Sequence, residues 1–406
     1  MTKDTLPMTR VEFIALCAML FATIAFSIDA MLPALPTIAE ELSPGRQNTE
    51  TLIVMSFVLG MGIGTFFTGP LSDRFGRKPV LISGAALYIL CAFIGYKSQT
   101  LEWLLAARLF QGMGAAGPRI VTLAIVRDLF SGRDMARIMS FVMLVFILVP
   151  AAAPLMGQMI IDMSSWRGIF VAFIIFALIS VLWIGIRLPE PLAVDQRRPF
   201  SIAKLMAGLR EMWSIPAVRT SILVQSLIMG ILFALIGTVQ LVYDQTYDRA
   251  EDFPYWFAGI ALASGSASIL NAKLVMKLGM RFLVTAAVAG KAISSLIMLM
   301  CMTIPDTQTQ FFAFAFWQFT VFFTTGLTIG NLNALAMEPL GHMAGTAASI
   351  MGALATIFGV ILAAPIGLAF DGTPLPLVLS IGLLALIGFF LMLHMRRIEA
   401  RSTITA

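Results

Sequence analysis

Residues 50–97 read ETLIVMSFVLGMGIGTFFTGPLSDRFGRKPVLISGAALYILCAFIGYK. Two apolar runs, 50–69 and 79–97, flank the polar stretch LSDRFGRKP at 71–79. A bilayer core about 30 Å thick takes about 20 apolar residues, and both runs have that length. The segment reads as two helices crossing a membrane in opposite directions. Gly76 permits the sharp turn between them, and Arg77 with Lys78 holds the loop out of the hydrocarbon on one face. Asp73 is placed to pair with a base or to cap a neighbouring helix N-terminus. Such a contact can form in one conformational state and break in another; an ordinary solvated loop is the alternative reading.

The same ruler applied outward finds runs near 12–34, 101–126, 137–161 and 168–187. After a polar stretch they resume near 218–243, 254–275, 282–303, 309–336, 345–369 and 375–395. With the opening pair these make twelve spans, an all-α membrane protein. Composition agrees: of 406 residues 59% are hydrophobic and only 12% charged, against roughly 25% charged in a soluble domain. Mean hydropathy is +0.92. The net charge of +5 is spread in short clusters between the runs, which argues against a nucleic-acid partner. Cys17, Cys91 and Cys301 lie far apart inside apolar runs, and His342 and His394 are equally scattered, so no metal site is expected. The first run is too long for a signal-peptide core and has no small-residue cleavage site after it.

Lysine and arginine set the orientation. With the N-terminus inside, the inner segments hold 20 of the 27 basic residues, from Lys3 and Arg10 at one end to Arg396, Arg397 and Arg401 at the other. Only Arg46, Lys97, Arg167 and Arg249 fall outside. Both termini are therefore expected in the cytoplasm. The stretch 188–217 divides six spans from six: an N-terminal six-helix bundle at 1–190, a cytoplasmic linker at 191–217 and a C-terminal bundle at 218–406. Phe75-Gly76-Arg77-Lys78 recurs 203 positions later as Leu278-Gly279-Met280-Arg281, the mark of a duplication. Met276 stands where the first copy has Asp73, so a latch built there is asymmetric.

The loop Gly69-Pro-Leu-Ser-Asp73-Arg74-Phe-Gly76-Arg77-Lys78 and the start of span 4, Arg108-Leu-Phe-Gln111-Gly112-Met-Gly114, closely resemble two signatures of the major facilitator superfamily. Asp29-Ala-Met-Leu-Pro33-Ala-Leu-Pro36 and Glu338-Pro-Leu-Gly341-His342-Met-Ala-Gly345 resemble its drug:proton antiporter branch, of the bicyclomycin and chloramphenicol resistance type. In span 5, Ala153-Pro154-Leu-Met-Gly157-Gln158 resembles the antiporter signature less closely, because Ala153 and Gln158 replace usual glycines. The resemblance implies two pseudo-symmetric bundles, a monomer in the bacterial inner membrane, and export driven by the proton gradient without a cofactor. It makes Gly69, Asp73, Arg74, Gly76, Arg77 and Lys78 a conformational latch. Pro150, Pro154 and Gly157 share one helical face. That face is expected to pack on another helix and to flex there as a hinge, or simply to kink.

An ionisable side chain deep in a span costs about 2.5–3.5 kcal/mol even on insertion scales, so each one is a functional candidate. Asp29 is the only acid well inside a span; Arg108, Arg119 and Lys291 are the only bases. Asp29 lies seven residues before Pro36 and Arg108 seven after Leu101, which on antiparallel spans puts both roughly 10 Å below the outer surface. Arg119 falls within about 20° of the Arg108 face, giving a stripe of Arg108, Gly112, Ala115 and Arg119 whose small residues leave room for water or ligand. Asp29 is expected to carry the proton in a wet cavity shared with Arg108. A fixed bridge between spans 1 and 4 is the alternative.

Further cavity candidates are Gln111 beside Arg108, Gln225 and Met229 on one face of span 7, and Gln318, Phe322 and Thr325 on one face of span 10. An apolar wall with few polar groups suits small amphipathic ligands. Lys291 is expected to be paired or to snorkel. The expected partners are lipid, protons and such a ligand. A proton-coupled drug exporter is the first reading, and a transporter of one metabolite, in either direction, the second. Nothing in the sequence resembles a phosphate loop or a nucleophile–histidine pair, so no enzyme activity is expected.

Overall fold

The computed structural model describes residues 7–46 and 48–404; Lys3 lies outside them, as does the side chain of Arg401. Helix α1 (Arg10–Asp29) begins at Thr9, whose hydroxyl accepts the Glu12 N–H at 3.2 Å. It ends at Asp29, earlier than the expected span. Pro33 and Pro36 bring no N–H to continue the ladder, and the chain turns into a 3-10 segment, Leu32–Ala34, before α2 (Leu35–Leu42). Asp29 is therefore the last residue of a helix rather than a mid-helix one.

The deciding hairpin is α3 (Thr51–Phe75) and α4 (Arg77–Lys97), joined by Gly76 alone at φ 105°. That is a conformation L side chains rarely adopt. Helices α5 (Leu101–Leu129), α6 (Gly132–Met163) and α7 (Trp166–Arg187) follow, and α6 runs through Pro150 and Pro154 without a break. In the stretch read as a polar linker the chain forms a further helix, α8 (Ile202–Ser214). Helix α9 (Pro216–Leu241) opens on a proline, which suits a first turn that needs no N–H. The expected eighth span is two helices, α10 (Phe253–Ser264) and α11 (Ser266–Leu278), interrupted at Gly265. Then come α12 (Met280–Cys301), α13 (Thr307–Met337), α14 (Ala344–Leu368) and α15 (Leu375–Ile404).

Eleven stretches of the described residues are long and apolar enough to cross a membrane, and one of them, Thr307–Leu368, holds both α13 and α14. The chain is an all-helical, multi-pass membrane protein. Large apolar side chains such as Leu90, Phe93, Leu182, Ile293 and Phe316 are more than half exposed, an arrangement stable only where the outer solvent is hydrocarbon.

By packing the chain divides into two compact units, Met1–Ala203 and Lys204–Ala406. With lipid outside, helix association rests on close approach of small residues. In the first unit a Cβ at Gly60 would strike the Leu109 carbonyl, and one at Gly112 the Phe57 carbonyl, locking α3 to α5. A Cβ at Gly157 of α6 would strike the Ala30 carbonyl just past α1. The second unit repeats this device between its own first and fifth spans: a Cβ at Gly359 of α14 would lie 2.7 Å from Met229 Cβ on α9.

Candidate functional site

The first unit buries a polar cluster where α1, α4 and α5 meet. Arg108 is 0% exposed. Its Nη2–H donates to the Ser27 carbonyl at 2.8 Å and its Nη1–H to Gln111 Oε1 at 2.8 Å. The guanidinium carbon lies 4.2 Å from the Phe57 ring centroid and 5.9 Å from that of Phe173. A guanidinium is weakly hydrated and stacks on aromatic faces, which is how a buried cation is held here without an acid. Ser27 gives its own hydroxyl proton to the Thr23 carbonyl, so its 2.6 Å contact with Tyr88 is donated by the tyrosine.

Asp29 is 5% exposed and is the only acidic side chain buried inside a span among the described residues. It forms no ion pair with Arg108 within 4.0 Å: the arginine reaches α1 two residues earlier, at the Ser27 backbone. The fixed bridge between spans 1 and 4, the alternative reading, is thus not formed by this pair. On α1 a backbone carbonyl oxygen takes the place that the carboxylate would hold in such a bridge. Gly157 of α6 packs on Ala30, the residue after Asp29.

The expected stripe on α5 divides. Gln111, Gly112 and Ala115 are buried, whereas Arg119 is exposed. Gly112 is small because the α3 backbone fills the space beside it, not because water or ligand does.

In the second unit Gln225 is buried, its Nε2 3.3 Å from Asn333 Oδ1, and Met229 is half-buried. Tyr243 donates its hydroxyl to Gln318 Oε1 at 3.0 Å, Thr325 donates to the Val321 carbonyl at 2.8 Å, and the half-buried Phe322 meets Phe257 edge-on at 5.7 Å. Gln318 and Thr325 thus spend hydrogen bonds on their own unit. Lys291 neither pairs nor snorkels: it is 0% exposed and its Nζ has no partner among the described residues.

The loop at Gly76 carries a second network. Arg77 is only 3% exposed. It reaches Asp73 Oδ1 at 2.6 Å, Asp128 Oδ2 at 2.9 Å and Ser72 Oγ at 2.7 Å. Glu190, from beyond α7, accepts the backbone N–H groups of Arg77 and Lys78, both at 2.9 Å, and that of Leu192 at 3.0 Å. A Cβ on Gly76 would come 2.8 Å from the Glu190 carboxylate. Lys78 Nζ donates to the Gly185 carbonyl at 2.7 Å, and exposed Arg74 lies over Phe75 at 5.1 Å. Half-buried Gly69 offers its carbonyl to Ser72 Oγ at 2.8 Å.

Residues 15–364 match the family model of the Major Facilitator Superfamily. The chain belongs to that superfamily. Superfamily relatives include a bicyclomycin resistance protein homolog from Haemophilus influenzae, 28% identical over 363 residues, 88% of this chain and 89% of that one. The chloramphenicol resistance protein CraA of Acinetobacter baumannii is 34% identical over 176 residues, 43% of this chain and 42% of that one. Among solved superfamily structures, the partially occluded inward open xylose transporter XylE of E. coli superposes with a TM-score of 0.73 at 12% identity. It covers 95% of this chain and 97% of its own. At that identity the likeness shows the fold alone.

No pattern in the sequence marks Asp128, Glu190, Tyr88 or Tyr243. Asp128 and Glu190 look like ordinary loop acids in the chain, and only their meeting with Arg77 and the first turn of α4 marks them. Tyr88 sits among apolar residues of α4 at a period that fits plain core. Tyr243 lies in a π-helical turn, Val242–Thr246, that no periodicity announces.

Proposed function

We propose that this major facilitator protein exports small amphipathic drugs of the phenicol or bicyclomycin kind across the bacterial inner membrane in exchange for protons, with both termini in the cytoplasm. The observation that carries the reading is Asp29: a buried carboxyl at the end of α1, without an ion-pair partner among the described residues, in a chain whose relatives are named for resistance to bicyclomycin and chloramphenicol. A carboxyl with no fixed counter-ion exchanges its proton more readily than one locked in a bridge. This favours the carrier role over the static bridge.

Arg108 supplies a permanent positive charge two residues away along α1, anchored so that it does not neutralise Asp29. Alternating access follows from the family fold, and α6 is the element we assign to transmit it. Its prolines free backbone carbonyls, and its Gly157 rests on the turn after Asp29. The Arg77–Asp73–Asp128 cluster is the latch that closes one end. One pH unit supplies about 1.4 kcal/mol and 100 mV about 2.3 kcal/mol. One proton exchanged for one neutral drug molecule then sustains a gradient of roughly 500-fold.

The test is transport in proteoliposomes carrying an imposed pH step, with chloramphenicol as probe. The wild-type protein is expected to move drug into an acid-loaded lumen against the drug gradient and to alkalinise that lumen on drug addition, because each drug molecule entering is exchanged for a proton leaving. Asp29→Asn, folded by its melting curve, is expected to do neither. Proton-coupled export at wild-type level by Asp29→Asn removes Asp29 from the role, and a wild-type protein that moves no drug under any gradient removes the substrate class.

A further inference from the structure

Helix α8 has two apolar faces where packing requires one. Leu205, Gly208 and Met212 are buried, and a Cβ on Gly208 would come 2.8 Å from Met343 Cε and 3.6 Å from Ile350 Cδ1. Glu211 on the neighbouring flank meets His342 Nε2 at 2.8 Å. That face docks α8 on the segment that leads into α14. A quarter-turn or so around the helix, Ile202, Met206, Leu209 and Trp213 follow one another at spacings of four, three and four, which is a second continuous stripe. Ile202 is 62% exposed, Met206 40% and Trp213 41%, while Leu209 is half-buried.

The neighbourhood says what covers that stripe. A single extended residue, Ile215 at φ −88° and ψ 114°, separates α8 from α9, whose first residue begins a membrane-spanning stretch. The last turn of α8 is therefore tied to the bilayer edge, and the whole helix, about 20 Å long, lies within reach of it. Trp213 is the residue type that settles at headgroup depth. Between 197 and 219 the chain carries Arg197, Arg198, Lys204, Arg210 and Arg219 against one acid, Glu211, and that acid is held by His342. An apolar stripe with Arg210 on its flank and further bases beyond both helix ends, next to a bilayer, is the pattern of a helix lying in the interface of an anionic leaflet.

We propose that α8 is an interfacial membrane helix, which lays Ile202, Met206, Leu209 and Trp213 into an anionic lipid surface while its other apolar face holds the segment leading into α14. The inference needs only that α9 crosses a bilayer; it stands apart from the export reading, and its test involves no substrate.

Full-length protein with Cys17, Cys91 and Cys301 replaced by alanine is labelled with an environment-sensitive fluorophore at Met206→Cys or, on the opposite flank, at Ala207→Cys. Each is placed in nanodiscs of phosphatidylcholine alone or mixed with phosphatidylglycerol, so that both leaflets are alike. The label at 206 is expected to be quenched by nitroxide lipid and protected from aqueous iodide, and the label at 207 the reverse. Phosphatidylglycerol is expected to widen the contrast. Replacing Arg210, the base nearest the stripe, by glutamine is expected to weaken that preference by about fivefold, the equivalent of about 1 kcal/mol. Equal iodide quenching at both positions overturns the proposal. Shielding of position 206 from both quenchers overturns it too, because protein then covers the stripe. Equal behaviour in the two lipid mixtures overturns the anionic preference.

Discussion

Arg108 of α5 holds α1 by its backbone, giving an Nη2–H to the Ser27 carbonyl at 2.8 Å while Nη1–H goes to Gln111 at 2.8 Å. The acceptor on α1 is thus an atom no substitution at position 27 removes, and the cation keeps its place whether Asp29 is charged or not. Lysine has the charge but neither the fork nor the flat face that lies on Phe57. Arg108→Lys is expected to lose one of the two hydrogen bonds and the stacking. That costs about 1.5–3 kcal/mol, seen as a lower melting temperature in detergent, together with severely reduced export.

The glycines of α5 differ in what stands beside them. A Cβ at Gly112 would collide with the Phe57 carbonyl, whereas the nearest atoms to a Cβ at Gly117 are 3.9 Å away. Gly112→Ala is expected to push α3 from α5 and to destabilise by about 1–3 kcal/mol. Gly117→Ala is expected to be neutral or slightly stabilising, since alanine is the better helix former. Melting curves of the two variants side by side decide it.

Glu190 caps the first turn of α4 from 113 positions away, satisfying two backbone N–H groups that no helical carbonyl can reach. Glu190→Ala is expected to cost about 1–2 kcal/mol, and Glu190→Gln less, because one acceptor oxygen stays. Limited proteolysis at Gly76 and the first turn of α4, faster in Glu190→Ala than in Glu190→Gln, is the matching kinetic readout.

Glu50, at the N-terminal end of α3 and just outside the span, is 4% exposed with Oε2 unpartnered. Burial pushes its carboxyl above the usual range. An acid raised in the folded state holds its proton more tightly there than in the unfolded chain. Its penalty is absent at low pH and grows as pH rises past the ordinary carboxyl value, about 4.3. Glu50→Gln is therefore expected to raise the melting temperature at pH 7.5, with the gain shrinking toward pH 4. A gain that stays constant with pH rules out the buried carboxyl as its source.

Much of this architecture is legible in the chain. Apolar runs of bilayer length show where the helices cross, because a backbone in hydrocarbon must satisfy its own hydrogen bonds. The Gly76 turn and the depth of Asp29 and Arg108 within the apolar runs follow from residue type and spacing, whereas the base that Asp73 meets, Arg77, does not. The end of α1 is less legible: a run of apolar letters continues to Pro36, and the turn at Ala30 leaves no mark in hydropathy. Helix α8 was hidden for the opposite reason, since its two apolar faces and its charges average to a polar stretch.

By itself the sequence determined the solvent of each segment, where apolar runs of bilayer length lie and the ionisable groups worth suspecting, for all of these are properties of residue type and local spacing. Only the tertiary structure decided who meets whom. Arg108 takes a backbone carbonyl, which every residue has and no letter reveals; Glu190 finds the α4 N-terminus; Gly112 and Gly157 are small because another backbone lies against them; Lys291 is buried without a partner among the described residues. Those outcomes depend on contacts between residues tens to more than a hundred positions apart, and a one-dimensional pattern carries no record of such distances.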